Sequence, residues 1–262
     1  MADTVSDRFA ANDSDVTFRS CDGILFRVHR KNLDTSSEGF SPPDGTSSQD
    51  EIVPLTEDGA TLDLLFQYIY PQPVPDLTKI GFKQLAGLAE AAEKYQVYAA
   101  IGFCQIRMSE AYSEHPFEVM MYAFRHGHGE IMDKAHNKAL ELSPTLAFES
   151  FTPQVYIAWT RYYAQWLDLL VNFHKHIDKV RHHTHCDREN KWFISVVSQS
   201  NTPASLLNFG HTFEVAQTAA TDIRSYYNSP PSCCSICMEH IKDWMSGMPQ
   251  SIERMKKLSS FL

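Results

Sequence analysis

Two short stretches concentrate side chains that can ligate a metal. CCSICMEH carries Cys233, Cys234, Cys237 and His240, and FHKHIDKVRHHTHC carries His174, His176, His182, His183, His185 and Cys186. A Cys-x2-Cys pair is half of a tetrahedral zinc site, because one tight turn sets both thiolates around the metal. Cys234 and Cys237, with His240 and Cys186 from the second stretch, supply four ligands of the closed, structural kind. A second Cys-x2-Cys at matched spacing is absent, so a helix competes for the same residues. Cys233, Cys237, His240, Ile241, Trp244 and Met248 fall on one helical stripe, where cysteine acts as a small hydrophobe.

Catalytic constellations are sparser. RHGHGEIMD brings His126, His128, Glu130 and Asp133 together in sequence, but Gly127 and Gly129 read as a loop between helices, where polar residues gather by default. The chain has no Gly-x-Ser-x-Gly elbow, no phosphate-cradling glycine loop and no His-Glu-x-x-His. The residues thus point away from an enzyme, and zinc is the one cofactor they suggest.

The bulk properties restrict the partners. The 262 residues are 43% hydrophobic with a net charge of −9, which suits a globular protein and argues against nucleic acid or an anionic membrane. No apolar run reaches the roughly 20 residues that span a bilayer. The opening MADTVSDRFAANDSD is acidic and lacks an apolar centre, so the expected location is intracellular, nucleus or cytoplasm. The six cysteines then read as thiols or metal ligands rather than disulfides.

The elements that must position these groups follow from periodicity. Residues 1–13 read as a flexible tail. DVTFRS alternates as a strand, CDG turns at Gly23, and ILFRV returns. A short helix starts near His29, residues 34–50 read as a loop, and EIVPL is a strand whose Pro54 belongs at an edge or end. Leu62, Leu65, Phe66, Ile69 and Tyr70 form one helical stripe, stopped by Pro71, Pro73 and Pro75. Leu85, Leu88, Ala89 and Ala92 form a second stripe, and Val97, Ile101, Cys104 and Met108 a third. Beyond 110 the pattern is helical, with Pro116 and Pro153 each at a first helical position. The longest helix has its stripe at Tyr156, Trp159, Tyr163, Trp166, Leu170, Phe173 and Ile177. A final helix is expected across 234–246.

Four segments in order resemble a BTB/POZ domain. SDVTF resembles that family's first core strand, FRVHRKNL its step from second strand to first helix, IVPLTEDGATLDLLFQYIYP its third strand, acidic turn and helix, and LAGLAEAAEKYQVYAAIGFCQIRM its closing helical pair. The helical extension is similar to that of the fungal BTB proteins. The resemblance implies an α+β fold, a small three-stranded sheet flanked by helices over 14–110, followed by an all-α extension over 111–262. Within it Phe26, Val28 and Leu33 point into the core. His29 bonds to backbone at a helix start, and Asp15 pairs with Arg30 or Arg27.

The function this implies is protein–protein interaction, as an adaptor or scaffold, including a ubiquitin-ligase substrate adaptor. The implied partners are a cullin-type scaffold or another BTB chain in a homo- or heterodimer. The contact surface expected is an apolar helix face, from Leu62 through Phe66 to Tyr70 or along 97–108. Phe40-Ser41-Pro42 stands where cullin-binding members carry hydrophobic-x-Glu, and the polar NLDTSSEGFSPPDGTSSQD stands where the dimer surface is usually built. Both departures weigh against the usual routes. Two other readings stay open: a zinc-containing regulator or small metalloenzyme, and a self-associating transcriptional co-regulator.

Overall fold

The computed structural model describes residues 4–40, 52–180, 199–211 and 246–262, with backbone alone at 176–180. Residues 4–10 are not a tail. They form β1 (Thr4–Ala10), which pairs in parallel with a strand that follows it. β2 (Val16–Arg19) and β3 (Ile24–Val28) make the expected hairpin, with Val16 opposite Val28 and Phe18 opposite Phe26. Gly23 turns it at φ 88°, a left-handed backbone that glycine adopts without a Cβ penalty. β4 (Ile52–Pro54) lies parallel to β2 and ends on Pro54, where a missing N–H costs the ladder nothing.

The sheet therefore has four strands, not three, in the order β1-β3-β2-β4. The physical reason is Phe9. The β1–β3 register shifts between Val5 and Ala10, and Phe9 is buried against Phe26, Phe66 and Tyr70. Burying one such ring is worth roughly 2–3 kcal/mol, enough to hold a strand whose other residues are mostly polar.

Helices α1 (Arg30–Ser36), α2 (Gly59–Gln67), α3 (Phe82–Tyr95), α4 (Tyr98–Glu110) and α5 (Pro116–Arg125) complete the first compact unit, Met1–Ile131. Carboxylates fix two of the helix starts. Asp58 accepts the Thr61 N–H at 2.7 Å while Asp22 accepts the Gly59 N–H at 2.9 Å, so α2 begins with two of its orphan donors satisfied. Asp15 accepts the Arg30 N–H at 2.7 Å and does the same for α1, whose own cap residue His29 makes no side-chain cap bond. Phe66 on α2 is the hub of the core, with ring centroids of Phe9, Phe18, Phe26 and Phe40 all within 5.9 Å.

α6 (Gly129–Ala139) crosses the boundary to the second unit, Met132–Leu262. The compact units part between Ile131 and Met132, and the expected boundary at 110 coincides with the end of α4. α5 belongs with the first unit because Val119, Met120, Tyr122 and Ala123 are buried and Tyr122 bonds to α3. The second unit contains α7 (Pro144–Ser150) and α8 (Pro153–Val180), with 3-10 turns at Pro203–Asn208 and Leu258–Phe261 and helical backbone at 246–253. Its described core is built on Val155, Trp159, Tyr162, Trp166, Leu170 and Phe173 of α8. Tyr162 is the buried tyrosine, while the expected Tyr163 is only half-buried. The Trp159 indole N–H donates to the Ala139 carbonyl at 3.1 Å. No helix among the described residues is long and apolar enough to cross a membrane.

Candidate functional site

The strand-to-helix step places His29 between two oxygens. Tyr70 Oη accepts the His29 backbone N–H at 2.9 Å and lies 2.9 Å from Nδ1, while Nε2 faces Asp13 Oδ1 at 3.3 Å. A hydroxyl that donates to Nδ1 leaves the proton on Nε2, where it meets the carboxylate. Burial raises the Tyr70 hydroxyl, and the His29 backbone hydrogen bond pulls it partly back. His29, Tyr70, Asp13 and Asp15 thus gather at one junction. Asp15 meets Arg30 through the backbone amide of that residue. The arrangement ties the Tyr70 end of the α2 segment to the start of α1.

A second polar group lies between α3 and the α5–α6 turn. The Tyr122 hydroxyl donates to Glu93 Oε1 at 2.9 Å, and His128 Nε2 lies 2.6 Å from the same oxygen. Gln105 of α4 stands 3.4 Å from His128 Nδ1. One residue pair along, His126 Nε2 meets Glu90 Oε2 at 2.9 Å, and Arg125 pairs with the other oxygen of that carboxylate. The imidazoles of RHGHGEIMD therefore turn to Glu90 and Glu93 of α3, across the fold, and not to their sequence neighbours Glu130 and Asp133. Burial pushes the thiol of Cys104 on α4 up to about 12, with the Glu93 charge adding to it. Burial also raises the Tyr122 hydroxyl, with the Glu93 charge adding to it.

Glu57 closes the other end of α3. Lys94 Nζ lies 2.8 Å from Oε1, and the Tyr95 hydroxyl donates to Oε2 at 2.7 Å. Burial alone would raise this carboxyl, but the bonds from Lys94 and Tyr95 outweigh it and hold the group below its usual range. Burial pushes the Tyr95 hydroxyl up to about 12. The Tyr95 ring stacks on Phe40 at 4.1 Å and 8°. Gly39 makes that approach: a Cβ there would stand 2.6 Å from the Tyr95 Cα.

These networks hold α3 and, beside it, α4. α4 has two unlike faces. Ala100, Cys104 and Met108 are buried. Tyr98, Phe103 and Ile106 are 58%, 45% and 59% exposed, and Gly102 between them has open space above it. The Phe103 ring lies against Tyr68 at 5.8 Å, and the hydrogen bond that the Tyr98 hydroxyl donates to Glu38 raises the phenol. Arg107 and Glu110 pair at the end of this surface. Large apolar side chains on open helix turns with a charged margin are the composition of a protein contact.

Of the two faces expected to be available, α2 is not: Leu62 and Phe66 are fully buried, and Tyr70 is spent on His29. Along 97–108 the two sides differ: Val97, Cys104 and Met108 face inward, while Tyr98, Phe103 and Ile106 stand on the opposite, exposed side of α4. Phe26 and Leu33 lie in the core as expected. Phe40 lies inward on Tyr95, Phe18 and Phe66. The residues expected to ligate zinc, Cys186, Cys234, Cys237 and His240, lie outside the described residues. Among the described residues no group of three or more His, Cys, Asp or Glu is placed to hold a metal ion. Compared with models of protein families and with curated proteins, the chain matches none.

Proposed function

We propose that this chain is a protein–protein interaction module, an adaptor or scaffold rather than an enzyme, and that the outer face of α4 is where it docks. The observation that carries the reading is the exposure of Tyr98, Phe103 and Ile106 on one helix. The titratable clusters support it from the other side: His29, His126, His128, Glu90 and Glu93 are each engaged with a group of the same unit.

The BTB/POZ reading is part of the same proposal. Hairpin, short helix, edge strand and three helices follow in the order the resemblance implies. Within that reading, the position of the cullin-binding hydrophobe is occupied by Phe40, whose ring is committed to Tyr95. β1 is paired in the sheet of its own chain, so it is not offered for exchange with a second BTB domain. Both features favour an adaptor that works through α4 over the two standard routes.

The test is photo-crosslinking from the helix itself. A benzoylphenylalanine placed at Phe103 in the full chain, in cells, should trap a discrete protein partner. The same group at exposed Lys83 of α3 serves as control. Adducts at 103 that vanish with Ile106→Glu support the face; the same adducts from 83 and 103 would discard it.

A further inference from the structure

α8 has a second apolar stripe that no described residue of its own unit covers. Ile157, Leu167 and Val171 are 57%, 44% and 42% exposed, and Thr160 and Ala164 between them are exposed as well. The spacing 157, 160, 164, 167, 171 alternates three and four residues, the seam of a helix that packs lengthwise on another helix. The helix is 28 residues long and its opposite side already carries the core residues Trp159, Tyr162, Trp166 and Phe173. An ordinary surface helix has one such stripe, not two.

Charge selects the partner. Arg161 and Asp168 border the seam one heptad apart, both are exposed, and neither makes an ion pair with a described residue. A second copy laid antiparallel about Ala164 sets Ile157 of one chain near Val171 of the other. It also brings Arg161 beside Asp168 of the partner, twice, by the two-fold axis. In antiparallel pairs the same flank of each helix meets, so the pairing needs no further residue. A parallel pair offers no such match, because the residues on the other flank of the seam are Tyr156, Tyr163 and Leu170. Ala164 at the axis leaves the two backbones room to approach.

We infer that two copies of this chain associate through α8 in an antiparallel, isologous helix pair centred on Ala164. Four turns of seam are a small interface, so the dimer is weak and forms at chain concentrations of about 10–100 µM. It is independent of the α4 face.

The full-length chain should sediment as a monomer–dimer mixture over that range. Arg161→Asp places two carboxylates opposite each other on both sides of the axis and should weaken the dimer by at least about tenfold. Asp168→Arg should do the same with two cations. The double variant, Arg161→Asp with Asp168→Arg, restores the opposition in reverse and should recover the wild-type constant within about threefold. Both positions, 161 and 168, are on the surface, so unchanged helix content and tryptophan emission report that each variant is folded. A monomer at every concentration overturns the inference. So does a dimer that ignores both single variants, or one that the double variant fails to restore. Loss of the dimer with Ile106→Glu alone would assign it to α4 instead.

Discussion

Single residues show how far local chemistry can be trusted. His29 reads from sequence as a histidine satisfied by hydrogen bonds, and its ring does sit between Tyr70 and Asp13. The partners themselves are 41 and 16 residues away in the chain, so no local pattern could name them. Phe40 is the opposite case. The resemblance sets it where cullin-binding members carry a hydrophobe, yet the glycine before it lets the loop lie on Tyr95 and the ring turns inward. Tyr68 offers a test at this scale. Its hydroxyl is buried without a hydrogen-bond partner among the described residues, and burial, with Cys104 close by, pushes it up to about 12. An unsatisfied buried hydroxyl costs about 1–3 kcal/mol, so Tyr68→Phe should leave stability unchanged or raise it by about 1 kcal/mol. A melting temperature several degrees lower would reveal a partner for the oxygen.

Elements were legible where periodicity and breakers agree. Gly23, Pro54, Pro116 and Pro153 sit where turn, strand end and helix starts require them. The inner face of α4 and the core face of α2 follow from their stripes. β1 was not legible, because TVSDRFA has one large apolar residue and a strand is recruited there by a sheet edge and a core that lie elsewhere in sequence. The end of α3 carries a strained residue the pattern also conceals. Gln96 takes φ 52°, ψ 48°, while its N–H caps the Ala92 and Glu93 carbonyls. A side chain in this left-handed region carries a penalty that glycine avoids. Gln96→Gly should stabilise the first unit by about 1 kcal/mol, read as a higher urea midpoint by backbone circular dichroism; a lower midpoint would mean the glutamine side chain does more than cap.

At the scale of the molecule, the two units can be followed separately. All four tryptophans, Trp159, Trp166, Trp192 and Trp244, fall after residue 131, so indole fluorescence reports the second unit alone. That unit contains a half-buried histidine, His136. Burial holds its pKa below the ordinary 6.5, with the Asp133 charge pulling partly the other way. The unfolded chain then takes up a proton at a higher pH than the folded one. Stability is therefore complete above 6.5 and falls as the pH drops through that value towards the depressed one. The fluorescence-detected urea midpoint should decline between pH 7 and about 5.5, and His136→Gln should flatten that decline. An equal decline in the variant would place the titration on another group.

The sequence by itself determined most of the described helices and strands, β1 excepted, and which face of most of those helices is buried. These are properties of neighbours within about eight residues, where side-chain period and backbone breakers act directly. The tertiary structure alone decided which polar residues meet. It gave His126 and His128 to Glu90 and Glu93 of α3, turned Phe40 inward, and left one side of α4 and one side of α8 uncovered by any described residue. A stripe of apolar residues looks the same in sequence whether another element lies on it or not; only the packing of the whole unit distinguishes a core face from a docking face.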